Sequence, residues 1–207
     1  METIQAWVTL IKDIVSILAA LTAGLVAILG LQAWKKQLKG KTEYELAQRM
    51  LRATYKVREA LAEVRRWFMD PGEIVQAMKE ENIEGNPTDN AMIFAQSQQA
   101  VYTRRWRKVQ EAFIELEATA LEAEALWGQV VKESLAPLYQ CSNTLFVTVG
   151  LFLSRLQNPL KNYEAAAEPR DRQIIYAAPG EEDNFFSVEI TTAVWKLENF
   201  LRPHLKI

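Results

Sequence analysis

With 207 residues, 24 basic against 26 acidic side chains and a net charge of −2, the chain lacks the positive excess of a general nucleic-acid binder. One cysteine, Cys141, and one histidine, His204, exclude a Cys/His zinc site and a disulfide within the chain. A single histidine three residues from the end also leaves no base for a nucleophile in the common triad layouts.

The chain begins with its most distinctive stretch. Ile14 to Leu31 (IVSILAALTAGLVAILGL) is eighteen residues without a charge, with Ser16 and Thr22 as its polar members. About 18 or more apolar residues are enough to cross a bilayer as one helix. Trp7 and Trp34 bracket the run. Their separation corresponds to roughly 40 Å at about 1.5 Å per helical residue, which fits the two interfacial belts where indole rings settle. The pattern predicts a membrane anchor over residues 1–34, with the span at about 14–34. Lys35, Lys36, Lys39 and Lys41 crowd its C-terminal side, and Lys12 beside Asp13 is the only cation before it. Positive charge stays on the cytoplasmic side, so the N-terminus is expected outside and residues 35–207 in the cytoplasm. The opening residues either extend the span or lie along the interface. The four lysines, with Trp7 and Trp34, are candidate membrane-surface contacts, since basic side chains near a bilayer attract anionic headgroups. Ala20, Ala23, Gly24 and Ala27 put small residues four apart, a spacing that lets two helices approach closely in lipid.

Beyond the anchor the periodicity is helical. Gly40 and the capping-box pattern Thr42-x-x-Glu45 leave two alternatives: a new helix begins there, or the span continues. Ala47, Met50, Ala53, Val57, Leu61, Val64 and Phe68 form one apolar stripe. In Asp70-Pro71-Gly72-Glu73 the expected roles are cap, first helical position and third-position carboxylate. Residues 82–90 read as a loop. A second long helix is expected from Ala91 to Trp127, with Val109, Phe113, Leu116, Ala120, Ala123 and Trp127 inward and Gly128 ending or bending it. Another helix covers Val130 to Leu156, with Pro137 near its start or kinking it and Asn158-Pro159 closing it. Leu138–Leu156 is apolar enough to raise a competing second span, although Gln140, Ser142, Asn143, Thr144 and Thr148 suit a bundle interior better. Gln173 to Tyr176 is a possible short strand and Pro179-Gly180 a turn. A last helix, from Ser187 to about Leu201, carries Ile190, Val194, Leu197 and Leu201. The fold expected is all-α: one transmembrane helix and an antiparallel bundle of four or five helices.

Charge follows the same layout. Lys35 to Arg66 holds ten basic and four acidic residues. The second long helix is basic early (Arg104, Arg105, Arg107, Lys108) and acidic late (Glu111, Glu115, Glu117, Glu122, Glu124). Antiparallel packing sets opposite signs together near the membrane end. At the distal end it gathers Arg65, Arg66, Trp67, Arg104, Arg105, Trp106, Arg107 and Lys108, where like charges repel unless answered. Three answers stand open. The acidic stretch Asp70, Glu73, Glu80, Glu81, Glu84 and Asp89 folds over the patch; solvent screens it; or an anionic partner such as a nucleotide, a phosphate or an acidic segment docks on the arginines and indoles. No phosphate loop, metal-binding histidine pair or Glu-x-x-His set is present, so no cofactor, metal or catalytic residue is assigned. Cys141, inside an apolar run, reads as a core residue.

Trp34–Leu61 (WKKQLKGKTEYELAQRMLRATYKVREAL), Arg105–Gly128 (RWRKVQEAFIELEATALEAEALWG) and Val194–Leu205 (VWKLENFLRPHL) together resemble a group of uncharacterised bacterial proteins with one N-terminal span and a helical cytoplasmic domain. The resemblance covers nearly the whole chain. It implies a place at the bacterial inner membrane and carries no activity or functional residue. The function expected is that of a membrane-anchored interaction protein: a scaffold, a sensor, or a subunit of a membrane complex. Its partners would be the lipid bilayer and either another protein or further copies of itself. An oligomerising effector that perturbs the membrane on a cytoplasmic signal is the alternative, and a membrane-associated enzyme the remote one.

Overall fold

The computed structural model describes residues 2–157, 169–177 and 184–205; within the first helix the side chains of residues 2–6, 8–15, 17, 19 and 20 lie outside the description. The expected breaks at Asn158-Pro159 and Pro179-Gly180 fall outside the described residues, as do the Ala20 and Lys12 side chains. The described chain is all-helical. Its elements are α1 (Glu2–Val64), α2 (Pro71–Glu80), α3 (Ala91–Trp127), α4 (Val130–Leu156), α5 (Pro169–Ile175) and α6 (Phe185–Leu201), followed by a 3-10 turn at Arg202–Leu205. The chain divides into two compact units, residues 1–45 and 46–206.

In the first unit α1 runs through Gly40 unbroken. Thr42, the expected cap of a new helix, instead donates its hydroxyl to the Leu38 carbonyl at 3.0 Å. That back-bond leaves the backbone ladder intact, which resolves the two alternatives in favour of one continuous helix. Every residue from Leu21 to Thr42 is exposed.

The second unit is a four-helix bundle with two short additions. The part of α1 beginning at Leu46 buries Ala47, Met50, Ala53, Val57, Leu61 and Val64, all fully enclosed. The stripe stops there: the helix ends at Val64, and Phe68 is half exposed. Charge pairs set the direction of α3 against α1. Arg49 meets Glu122, Lys56 meets Glu115 and Glu63 meets Lys108, so the numbers rise on one helix as they fall on the other. The acidic end of α3 thus pairs with Arg49 and Lys56 of the same unit. Lys39 and Lys41 pair along their own helix with Glu43 and Glu45.

Aromatic pairs set α4 antiparallel to α3. Tyr102 packs on Phe152, Trp106 on Phe146 and Phe113 on Tyr139. Gly128, at φ +77°, makes the break between them; its N–H closes on Glu124. Pro137 lies inside α4, and the helix continues past it. α4 also packs on α6. Leu138, Cys141, Leu145, Val149 and Phe152 enter the common core, which places Leu138–Leu156 as a bundle helix and removes the second-span alternative.

Asp70 caps α2 through Gly72 N–H, with Pro71 leading the helix as expected. Asn90 caps α3 through Ile93 N–H, and Asn184 caps α6 through the amides of Phe186 and Ser187. The expected strand at Gln173–Tyr176 is instead the end of α5. Strand chemistry survives as one isolated bridge, Arg66 with Ala177.

Candidate functional site

Two regions bear on function: the distal arginine cluster in the second unit and the exposed apolar helix in the first. The cluster forms where α1 ends. Its two buried members turn in different directions.

Arg65 is buried and faces α5 and α6. Its Nε donates to the Ile174 carbonyl at 2.8 Å, and its terminal nitrogens reach the Gln173 and Tyr176 carbonyls, Asn184 Oδ1 and the Ser187 hydroxyl. The guanidinium also lies over the Phe186 ring. These acceptors include carbonyls of the last turn of α5, where the helix dipole favours a cation. Burial pulls Arg65 down from its ordinary pKa to about 10, and the side chain remains a cation at neutral pH.

Arg105, 1 % exposed, faces α2. It grips Glu73 with two hydrogen bonds of 2.8 Å and donates to the Arg66 and Phe68 carbonyls. Arg66 adds a third contact to Glu73 at 3.0 Å. The Glu73 carboxyl is held below its usual range by the hydrogen bond from Arg105, against the opposing effect of burial. Such bidentate, charge-assisted pairs are the strong class of ionic contact.

The rest of the cluster disperses. Arg104 and Arg107 approach Glu80 at 3.7 and 3.6 Å, and Arg107 approaches Glu81 at 3.8 Å; these are ion pairs too long for hydrogen bonds. Lys108 is bonded to Glu63. Trp67 is exposed beside Phe68, whereas Trp106 belongs to the α3–α4 seam on Phe146. Of the expected patch, Arg65 and Arg105 are buried, while Arg66, Trp67, Arg107 and Lys108 stay exposed. Glu73, Glu80 and Glu81 answer its arginines, while Asp70 and Asp89 bond backbone amides of α2 and the 82–90 loop instead. What periodicity missed is the role of α5 and α6. The signal available was a pair of arginines, Arg65 and Arg66, directly after an apolar stripe.

The other titratable groups are structural. The Cys141 thiol, buried in the core, is pushed up to about 11 by burial and by the nearby Glu189. That is the reverse of what a nucleophile requires. Burial, with Glu117 at its hydroxyl, raises Tyr139 to about 12. His204 is half-buried and stacks on Trp127, with the ring centroids 4.1 Å apart. Among the described residues no group of acidic, cysteine or histidine side chains is disposed to hold a metal.

In the first unit, Leu18, Leu21, Leu25, Val26, Ile28, Leu29, Leu31 and Trp34 are all exposed, as is Trp7. At 3.6 residues per turn the large aliphatic chains cover more than half the circumference. Ala23, Ala27 and Gly30 take the rest, so no side is polar. Thr22 returns its hydroxyl to the Leu18 carbonyl. Lys35, Lys36, Lys39 and Lys41 follow, exposed. Among the described residues, no helix is long and apolar enough to cross a membrane; the side chains of Ile14, Val15, Ile17, Ala19 and Ala20 are not among them. The chain matches no protein-family model, and it has no significant match among curated proteins or solved structures.

Proposed function

We propose that the protein is a membrane-anchored helical interaction protein, held in the bilayer by residues 14–34 with its bundle on the cytoplasmic side, as at a bacterial inner membrane. One observation carries the reading: residues 21–34 of α1 expose apolar side chains around the whole helix. A helix hydrophobic all round belongs in a protein core or in lipid, and here its described side chains are exposed. The uncharged residues from Ile14 onward lengthen the run to what a span requires. The lysines on one flank supply the orientation. An interaction role, such as a scaffold, a sensor or a subunit of a membrane complex, suits a bundle whose buried arginines Arg65 and Arg105 are both engaged in joining helices.

The test is fractionation of cells producing the full chain. The protein is expected in the membrane pellet, resistant to alkaline carbonate. Leu25→Asp with Ile28→Asp should release it, because each carboxylate at mid-span costs about 2.5–3.5 kcal/mol. Wild-type chain in the supernatant defeats the anchor.

A further inference from the structure

We propose that the face of α3 bearing Arg104, Arg105 and Arg107 is a docking site for an acidic amphipathic helix of another protein, and that α2 occupies it as a built-in competitor. This names the kind of partner for the interaction role just assigned, and it rests on that role rather than on the anchor. The occupant is read from α2 itself. Glu73, Ala77, Glu80 and Glu81 fall at i, i+4, i+7 and i+8, one face of a helix. That face sets three carboxylates against the three arginines, and packs Ala77 with Ala100 and Val101. Arginine forks select carboxylates by geometry as well as by charge. A helix with acidic side chains at that spacing and a small residue between them meets the same groups.

Three observations make α2 replaceable. Its apolar hold is small and separate: Ala77 and Met78 are the residues it buries, and Ala77, Ala100 and Val101 form a cluster of their own beside the main core. An element with few buried apolar contacts opens at the low-stability end of a fold. Its fit is also uneven. Glu73 grips Arg105 at 2.8 Å, but Glu80 and Glu81 stand 3.6 to 3.8 Å from Arg104 and Arg107, beyond hydrogen-bond reach. Arg104 Nη1 is buried and lacks a hydrogen-bond partner among the described residues, a cost that a better-placed carboxylate relieves. Finally, release of α2 does not strand Arg105, because the Arg66 and Phe68 carbonyls, which precede α2, still accept from it. Partner binding and α2 release are then one equilibrium, and the closed state lowers the apparent affinity for the partner.

The experiment follows α2 through a thiol on its inner face. Ala77→Cys in the full chain, in detergent, is labelled with a polar maleimide; Met78→Cys is the second reporter, and Cys141, buried in the main core, registers global unfolding. The probe is a synthetic helix of residues 69–84, bridged between positions 75 and 79, which are exposed on α2. At constant ionic strength it should speed labelling of Ala77→Cys about tenfold or more, as for a local opening, and leave Cys141 unchanged. The same helix carrying Glu73→Gln, Glu80→Gln and Glu81→Gln should have no effect. In the protein, Glu80→Gln with Glu81→Gln keeps the Glu73 grip and should lower the probe concentration needed by up to about tenfold, the worth of two exposed ion pairs. Arg104→Gln with Arg107→Gln should abolish the response. Neither reporter responding to the probe overturns the proposal. So does equal acceleration at Cys141, or an equal response to inorganic phosphate, which would make the face a general anion site. Failure of the anchor reads out separately, as protein in the supernatant of lysed cells.

Discussion

The two stretches of α1 on either side of Glu45 belong to one unbroken helix and obey different rules. After Leu46, apolar residues keep to one stripe, and each is enclosed by neighbours from the bundle. Before Glu45 they go all the way round, and every residue from Leu21 to Thr42 is exposed. Identical backbone geometry thus carries two kinds of surface, one enclosed by the bundle and one exposed and apolar on every side. The difference is one of arrangement as much as of hydrophobicity, and it lies in the spacing of residues such as Ala47, Met50 and Ala53 against Leu21, Leu25 and Val26.

That contrast can be broken first at the bundle's ionic centre. Arg105→Met should destabilise the bundle by about 3–5 kcal/mol, because it strands the Glu73 carboxylate at a poorly hydrated site. Thermal melting of the detergent-solubilised chain measures it. The pair also sets a pH dependence. Glu73 has a lowered pKa in the folded protein. Its contribution is therefore complete above the unfolded value of about 4.3 and is lost as pH falls through the lower folded value. Glu73→Gln should flatten stability against pH in that acid range.

A sharper comparison uses one residue type on one helix. Leu61→Ala empties a fully buried site and should cost about 2–5 kcal/mol. Leu25→Ala, at an exposed site, should leave the melting of the bundle within about 0.5 kcal/mol of wild type. Equal losses would mean that the two stretches share a core. The smallest effect belongs to Arg49→Ala. Its pair with Glu122 is half exposed on both sides, and such pairs are worth about 0.2–1 kcal/mol.

Much of the bundle was legible in the order of residues. The stripes of α1 and α3, the cap at Asp70, the loop at residues 82–90 and the break at Gly128 all follow from local chemistry. The misreadings have a common origin in distant contact. Gln173–Tyr176 carries β-branched residues and looks like a strand, but its first three residues end α5 and its carbonyls accept hydrogen bonds from Arg65. Phe68 continues a periodicity that the chain abandons once Arg65 and Arg66 turn aside. Thr42 reads as a cap where its hydroxyl bonds backwards instead. The arginine cluster was visible as charge, and so was the acidic stretch that supplies Glu73, Glu80 and Glu81, but nothing in spacing brings Asn184 to Arg65.

Arg65 is made more than a hundred residues before the groups that receive it, Gln173 to Ser187. During synthesis from the N-terminus its guanidinium lacks those acceptors until the chain has passed Ser187. The pocket that takes it is built from the end of α5 and the start of α6, so the burial of this cation depends on both of them. A chain stalled before Asn184 keeps an unsheltered charge at the edge of its bundle, in the place where the finished protein is dry.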